Sequence, residues 1–385
     1  MLKKICIFLL ISVFLFPKVI VKAEDNLLSN AKSGLLMEVS SGRIIYEKNI
    51  HERVSVASMT KMMGMILIME ALEDGKIRLD EKVKVSKNAA NMGGSQIWLS
   101  EGEEMLVSDL IKGIMMASAN DGIVAMAERI GESEEKFVQL MNNKAKELGL
   151  KNTNFVNPTG LDEENHYSSA YDMGLIAKEL IKHDEIFNYT NIYEDYLRKG
   201  TKNEYWLVNT NKLIKTYNGA DGLKTGMTDA AGYCMAVTAV RHGMRLLAIV
   251  LGEENGKVRN SETAELLDYG FNLYELDTIK KKGEILGNIK IDKSSVDNIE
   301  IIASRDVTVL KKKGEEKKNY KTDLRLNNLE LPINKGEEIG NLIILDDLGN
   351  QMDKVAVTVN QDIKKDNFLN IFLKILIGVI NGELV

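Results

Sequence analysis

Ser58-Met59-Thr60-Lys61 sets a hydroxyl and an amine three positions apart at the head of an apolar run. On a helix, that spacing brings both side chains to one face. A hydroxyl at a helix N-terminus faces free backbone N–H groups that can steady a developing oxyanion. A buried lysine can shed its proton and act as a base, because desolvation disfavours its charge. The pair could therefore carry out nucleophilic acyl transfer without histidine. Alone it is a weak signal, since an N-cap serine before a lysine-bearing helix is commonplace.

Two other stretches could complete such a site. Ser118-Ala119-Asn120 falls at the break between two helical patterns. A loop there can present a second hydroxyl for proton relay and an amide for a substrate peptide group. Lys224-Thr225-Gly226 precedes two apolar runs. On an edge strand, Lys and Thr can hold a carboxylate, and Gly lets an extended peptide approach closely. Helix ends and turns use the same residues, so neither stretch is specific by itself.

The elements that must position these groups are legible in outline. Gly34–Val39 and Arg43–Tyr46 flank a Ser-Ser-Gly turn and read as a hairpin over 34–49. From Ser58 to Asp74 the chain reads as a helix that is apolar nearly all round, so it should be central and buried. Further helices are expected over Ser108–Ser118, Gly122–Ile130, Glu134–Leu148 and Ser169–Lys182, and another from about Ser261. Tyr233–Val240 and Met244–Leu251 read as a buried antiparallel hairpin. Strands at both ends with helices between imply one sheet under a helical layer, an α/β (α+β) domain over 24–276. From 277 to 362, short alternating runs with charged or glycine turns imply a small all-β C-terminal domain. The charge run from Lys311 to Lys318 reads as a solvated hairpin tip.

The 385 residues suit two to three domains. With 44% hydrophobic and 28% charged residues, a disordered chain, a rod and a polytopic membrane protein are excluded. Net charge is −6, and the first 23 residues hold four lysines and no acid, so the remainder is more acidic still. Nucleic acid is not an expected partner. Two cysteines, Cys6 and Cys234, cannot build a disulfide framework, and four scattered histidines offer no zinc spacing. Neither a metal nor a cofactor is expected. Residues 1–23 have the basic start, apolar core and small residues of a signal peptide cleaved ahead of Glu24. Residues 363–385 contain a helical pattern with one narrow polar stripe, Asn367, Asn370, Lys374 and Asn381. It is short for a span and better suited to lying on a membrane surface. Export to the outer face of the cytoplasmic membrane, at the cell wall, follows.

Taken together, the three motifs occur in the order found in penicillin-binding proteins and class A β-lactamases. With Asn157-Pro158-Thr159-Gly160-Leu161-Asp162, His166-Tyr167-Ser168 and Asp221–Thr228, the chain resembles the low-molecular-mass D-alanyl-D-alanine carboxypeptidases. These are serine peptidases that are also penicillin-binding proteins. Met92–Gln96 and Tyr193–Arg198 look like the group found in spore-forming bacteria. The resemblance implies a β-lactamase/transpeptidase-like catalytic domain. It implies Ser58 as acylated nucleophile, Lys61 as its base and Ser118 as proton relay. Asn120 would hold the substrate backbone, Lys224 supply charge, and Thr225 contact the terminal carboxylate beside Gly226. Backbone N–H groups of Ser58 and Met227 would form the oxyanion hole, with Arg259 near the carboxylate end. His166 and Cys234 are read as structural. Ala119 and Met227 depart from the family's usual Gly and His or aromatic residue. The substrate implied is the peptidoglycan stem peptide, with β-lactams as covalent inhibitors. A D,D-endopeptidase, a β-lactamase or an inactive wall-binding scaffold are the rivals. No ExxLN pattern for a deacylating carboxylate lies between Asn120 and Lys224, which disfavours the β-lactamase.

Overall fold

The computed structural model describes residues 27–316, 319–368 and 370–373. The expected leader and most of the expected C-terminal helix lie outside the described residues.

β1 (Ser33–Glu38) and β2 (Ile44–Lys48) pair as a hairpin. A 3₁₀ turn (Ala57–Thr60) leads into α1 (Lys61–Glu73), so the α-helix starts three residues after Ser58. Every residue of α1 from Lys61 to Met69 is buried, as its unbroken apolar composition requires. Gly75, at φ +70°, supplies the left-handed residue that ends it. Around α1 stand the short hairpin β3 (Lys82–Lys84) and β4 (Glu104–Leu106), and α2 (Lys87–Ala90). They are joined by α3 (Val107–Met116), α4 (Asn120–Gly131), α5 (Glu134–Glu147) and α6 (Ala170–Leu180). Ser86, Ser133 and Ser169 cap α2, α5 and α6 by accepting from the N–H three residues on. Next come α7 (Phe187–Thr190), a second short hairpin of β5 (Glu194–Leu197) and β6 (Tyr205–Val208), and α8 (Leu213–Thr216). β7 (Ala220–Thr228), β8 (Gly232–Arg241), β9 (Met244–Glu253) and α9 (Gly256–Leu273) complete this part.

The main sheet is antiparallel, in the order β2-β1-β9-β8-β7. Period-two alternation serves two cores at once. Leu35, Met37, Cys234, Ala236, Leu247 and Ile249 face the helical layer around α1. Leu36, Met235, Val237, Leu246, Ala248 and Val250 face α9. Strands covered on both faces read as continuous apolar runs, which is why β8 and β9 were so plain in the sequence. β7 is an edge strand, and it carries Lys224-Thr225-Gly226. Helix α9 begins at Gly256 instead of near Ser261. The Asn255 side chain accepts from the N–H groups of Lys257 and Val258 and starts the helix earlier.

β10 (Tyr274–Lys280) opens the second part, followed by β11 (Ile285–Ile289), β12 (Ile299–Ala303) and β13 (Val307–Lys312). β14 (Lys321–Leu326), β15 (Glu338–Leu345) and β16 (Gln351–Val359) follow. β10 pairs with β13, and the other five form an antiparallel sheet in the order β11-β12-β16-β15-β14. The boundary expected after residue 276 falls inside β10. The β10–β13 ribbon feeds both cores: Tyr274 and Leu310 pack on the α9 side, Val307 and Val309 on the second sheet. Arg43 donates to Leu310 O (3.2 Å) and Lys313 to Phe271 O (2.8 Å) across the same junction. Lys312 to Glu316 are exposed, as a solvated tip should be.

Candidate active site

Three separate elements meet at Lys61. Its Nζ lies 2.8 Å from Ser58 Oγ in the 3₁₀ turn, 2.7 Å from Asn120 Oδ1 at the start of α4, and 2.7 Å from Thr159 O. A neutral amine has two N–H bonds and one lone pair. With Asn120 Oδ1 and Thr159 O accepting two N–H bonds, Lys61 in its neutral form would turn its lone pair to the serine hydroxyl. Lys61 is fully buried. Burial above all, and then the positive charge of Lys224, hold its pKa well below the ordinary lysine value, against a smaller opposing pull from Asp121. The geometry and the charge state agree on a base.

The loop supplying Thr159 O is itself built for the purpose. Asn157 Oδ1 accepts from Thr159 N, Thr159 Oγ1 and Gly160 N at 3.2, 2.8 and 2.8 Å. Gly160, at φ +80°, lies so close to the chain before Ser58 that a Cβ would collide with Ala57 O. His166 sits behind it. Its Nδ1 accepts from Val156 N (3.1 Å), so its Nε2–H donates to Thr60 Oγ1 (2.8 Å). Burial pushes the imidazole down to about 4, so it is neutral at neutral pH and serves as a strut. The structural role expected for His166 and for buried Cys234 thus fits their surroundings.

Lys224 forms the second centre. Its Nζ donates to Ser118 Oγ and to Thr225 O, both at 2.8 Å. Burial, helped by the Arg259 charge, lowers its pKa to about 7. Ser118 holds φ +63° and Ala57, just before Ser58, holds φ +48°, so backbone strain is concentrated beside both hydroxyls. Thr225 Oγ1 donates to Thr210 Oγ1 (2.7 Å), which orients the hydroxyl expected to meet a carboxylate. At Gly226 a Cβ would come within 2.9 Å of Val56 O and 3.1 Å of Ser58 N. Only glycine lets β7 approach the Ser58 backbone this closely. Met227 is exposed at the end of that strand, paired with Tyr233. Arg259 lies in the first turn of α9, buried, with Nε and Nη2 donating to Asn260 Oδ1. It reaches the cluster through its field on Lys224.

All nine expected residues therefore occupy one end of the sheet–helix junction. Asn120 differs in part from expectation: its Oδ1 is engaged by Lys61 and its Nδ2 donates to Gly93 O (2.7 Å). Asn120 orients the base as well as bordering the cleft. Thr159, Asn157, Thr210 and Asp121 were not anticipated as site residues. Backbone carbonyls leave no mark in a sequence, and the Asn157 loop is visible only as an Asn-Pro-Thr-Gly turn. Among the described residues no His, Cys, Asp and Glu group has the makings of a metal site.

The free-enzyme pKa of Lys224 has a kinetic consequence. Above about pH 7 the amine loses the charge that would meet a substrate carboxylate, so binding then takes up a proton. KM for a peptide with a free C-terminal carboxylate should rise above pH 7, by at most about tenfold per pH unit. Steady-state kinetics at constant ionic strength would show it; a flat KM from pH 7 to 9 would contradict it.

A half-buried serine and its buried lysine at a helix start, faced by a Ser-x-Asn loop and an edge-strand Lys-Thr-Gly, define a penicillin-binding serine acyl-transfer enzyme. The family model for D-alanyl-D-alanine carboxypeptidase matches residues 20–255, and the chain belongs to that family of serine carboxypeptidases. Residues 274–365 match the C-terminal domain model of penicillin-binding protein 5. The D-alanyl-D-alanine carboxypeptidase DacF of Bacillus subtilis is 48% identical over 358 residues, which cover 93% of this chain and 92% of the relative. The crystal structure of penicillin-binding protein 5 from Haemophilus influenzae superposes with a TM-score of 0.68 at 31% identity, covering 87% of this chain and 98% of that one. Penicillin-binding protein D2 from Listeria monocytogenes, in its ampicillin-bound form, gives 0.57 at 31% identity, covering 63% of this chain and 97% of that one.

Proposed function

We propose that the protein removes the terminal D-alanine from peptidoglycan pentapeptide stems through an acyl-enzyme on Ser58. The observation that carries this reading is the Lys61 amine, placed 2.8 Å from Ser58 Oγ with its other two positions taken by acceptors. Lys61 takes the Ser58 proton as Oγ attacks the penultimate D-alanine carbonyl. Backbone N–H groups of Ser58 and Met227 receive the oxyanion. Ser118, held by Lys224, relays the proton taken by Lys61 to the nitrogen of the leaving D-alanine, which returns Lys61 to its neutral form. Lys224 and Thr225 hold the terminal carboxylate, with Arg259 adding positive field. Water then hydrolyses the ester, and Lys61 again serves as base.

A β-lactam would acylate the same serine. The one acid in the Asn157–Asp162 loop, Asp162, is turned to Thr228 Oγ1 (2.7 Å) and Ala230 N (3.3 Å), away from Lys61. Slow deacylation of a penicillin follows, in line with the ampicillin complex of the Listeria relative. Export, with residues 1–23 as signal peptide and 363–385 as a surface anchor, fits a wall substrate. No helix among the described residues is long and apolar enough to cross a membrane. Phe368, Phe372 and Leu373, where residues 363–385 are described, are exposed. The likeness to DacF of Bacillus subtilis is the support for including a sporulation role in this reading.

The test is a pentapeptide ending in D-Ala-D-Ala, a cross-linked dimer and a penicillin, each given to the full chain. One free D-alanine per pentapeptide, with little dimer cleavage and no penicillin turnover, is the expected result. Faster dimer cleavage would select the endopeptidase, and no release from any substrate the scaffold.

A further inference from the structure

Beside the cleft, three large aromatic side chains stand in solvent although the chain around them is tightly held. Trp98 is 68% exposed, Trp206 56% and Tyr196 40%. The N–H groups on either side of Trp98, those of Ile97 and Leu99, donate to the Asp121 carboxylate at 3.1 and 3.0 Å. Ile97 and Leu99 are buried, so the indole between them is thrown outward. Trp98 pays for that with φ +58°, a conformation bulky residues avoid. Trp206 and Tyr196 are register partners across β5 and β6, so their rings share the outer face of that hairpin. Arg198 ties the hairpin to the Trp98 segment. Its guanidinium donates to Ile97 O (3.0 Å), Trp98 O (3.3 Å) and the Glu103 carboxylate.

The backbone links the patch to the site. Ser95 O accepts from Asn120 N (2.7 Å), and Thr210 bonds both Met116 O and Thr225 Oγ1. Trp98 is three residues from Ser95, and Trp206 four from Thr210. At about 3.4 Å per residue, both lie within roughly 14 Å of groups that border the cleft. An extended pentapeptide reaches about 17 Å. Rings within that span are in reach of whatever the far end of the peptide is attached to. Flat, exposed aromatic faces with polar edges suit the C–H face of a pyranose ring.

We infer that Trp98, Tyr196 and Trp206 form a sugar-stacking platform that binds the glycan strand bearing the stem peptide. This rests on the proposed carboxypeptidase reading, and it makes the enzyme prefer stems still attached to their N-acetylated disaccharide over free peptides.

The experiment compares kcat/KM for a free pentapeptide and for the same peptide on its disaccharide, in wild type and in the double variant Trp98→Ala/Trp206→Ala. The expected result is less than about twofold change on the free peptide and about a tenfold loss on the disaccharide form. Trp206→Phe alone should keep most of the preference, because a ring remains. Quenching of tryptophan fluorescence by N-acetylglucosamine oligosaccharides without peptide should occur in wild type, and binding of the same oligosaccharides followed by calorimetry should vanish in the double variant, which keeps neither of the chain's two tryptophans. That reading is independent of turnover: wild type releasing no D-alanine while still quenching would sink the carboxypeptidase assignment and leave the platform standing. An unchanged preference, or equal loss on both substrates, would overturn the platform. So would loss of vesicle binding by the double variant with the preference intact, which would assign the rings to a membrane surface.

Discussion

Changing Lys61 to alanine is expected to slow acylation of Ser58 by about 10²–10⁴-fold, the usual worth of a positioned general base. Changing it to arginine should cost as much, although the charge and much of the length are kept, because a guanidinium does not give up its proton. The two variants together separate a base from a mere cation. If Lys61 worked only by its positive charge, arginine would retain activity. The surroundings argue for the base: burial, and then the charge of the second buried lysine, push this amine toward its neutral form. Removing the side chain also strips Asn120 Oδ1 and Thr159 O of their donor, at a cost of about 1–3 kcal/mol each in stability. Thermal midpoints measured beside the penicillin-labelling rates would show that the chemistry falls in protein that is still folded.

Ser58→Ala should abolish both D-alanine release and covalent labelling by penicillin, at least about a thousandfold below wild type. Little structural damage is expected, since among the described residues the Ser58 hydroxyl has one hydrogen-bonding neighbour, Lys61 Nζ. The fold of the variant should match wild type by circular dichroism. D-alanine release persisting in Ser58→Ala would remove the nucleophile assignment and shift attention to Ser118, the other hydroxyl on a lysine.

The three motifs were visible in the sequence because each is local, while the roles given to their residues rested on the resemblance that the three carry together. Ser58 and Lys61 announce each other three positions apart, and the apolar run after them says that the helix is buried. β8 and β9 were readable because two covered faces make nearly every position apolar. What the sequence hid was long-range. The meeting of Lys61 with Thr159 O involves a backbone atom 98 positions away, and no side-chain pattern marks it. Asn120 stood out as a cleft residue, yet its bond to Lys61 emerged only in three dimensions. Hairpins β3–β4 and β5–β6 have strands of three or four residues, too short to set up a period. The start of α9 was misplaced because Asn255 is one polar residue among several, and its capping role depends on the turn it occupies. No spacing in the sequence sets Trp98 and Trp206 apart; their exposure marks them as surface features.

The most direct measurement is time-resolved intact-protein mass spectrometry after adding a β-lactam at neutral pH, followed by peptide mapping. Wild type should gain the mass of one ring-opened inhibitor, mapped to Ser58, while Lys61→Arg stays unmodified over the same interval. An adduct elsewhere in the chain, or one on Ser58 that forms as fast with arginine at position 61, would contradict activation of this hydroxyl by a neutral lysine.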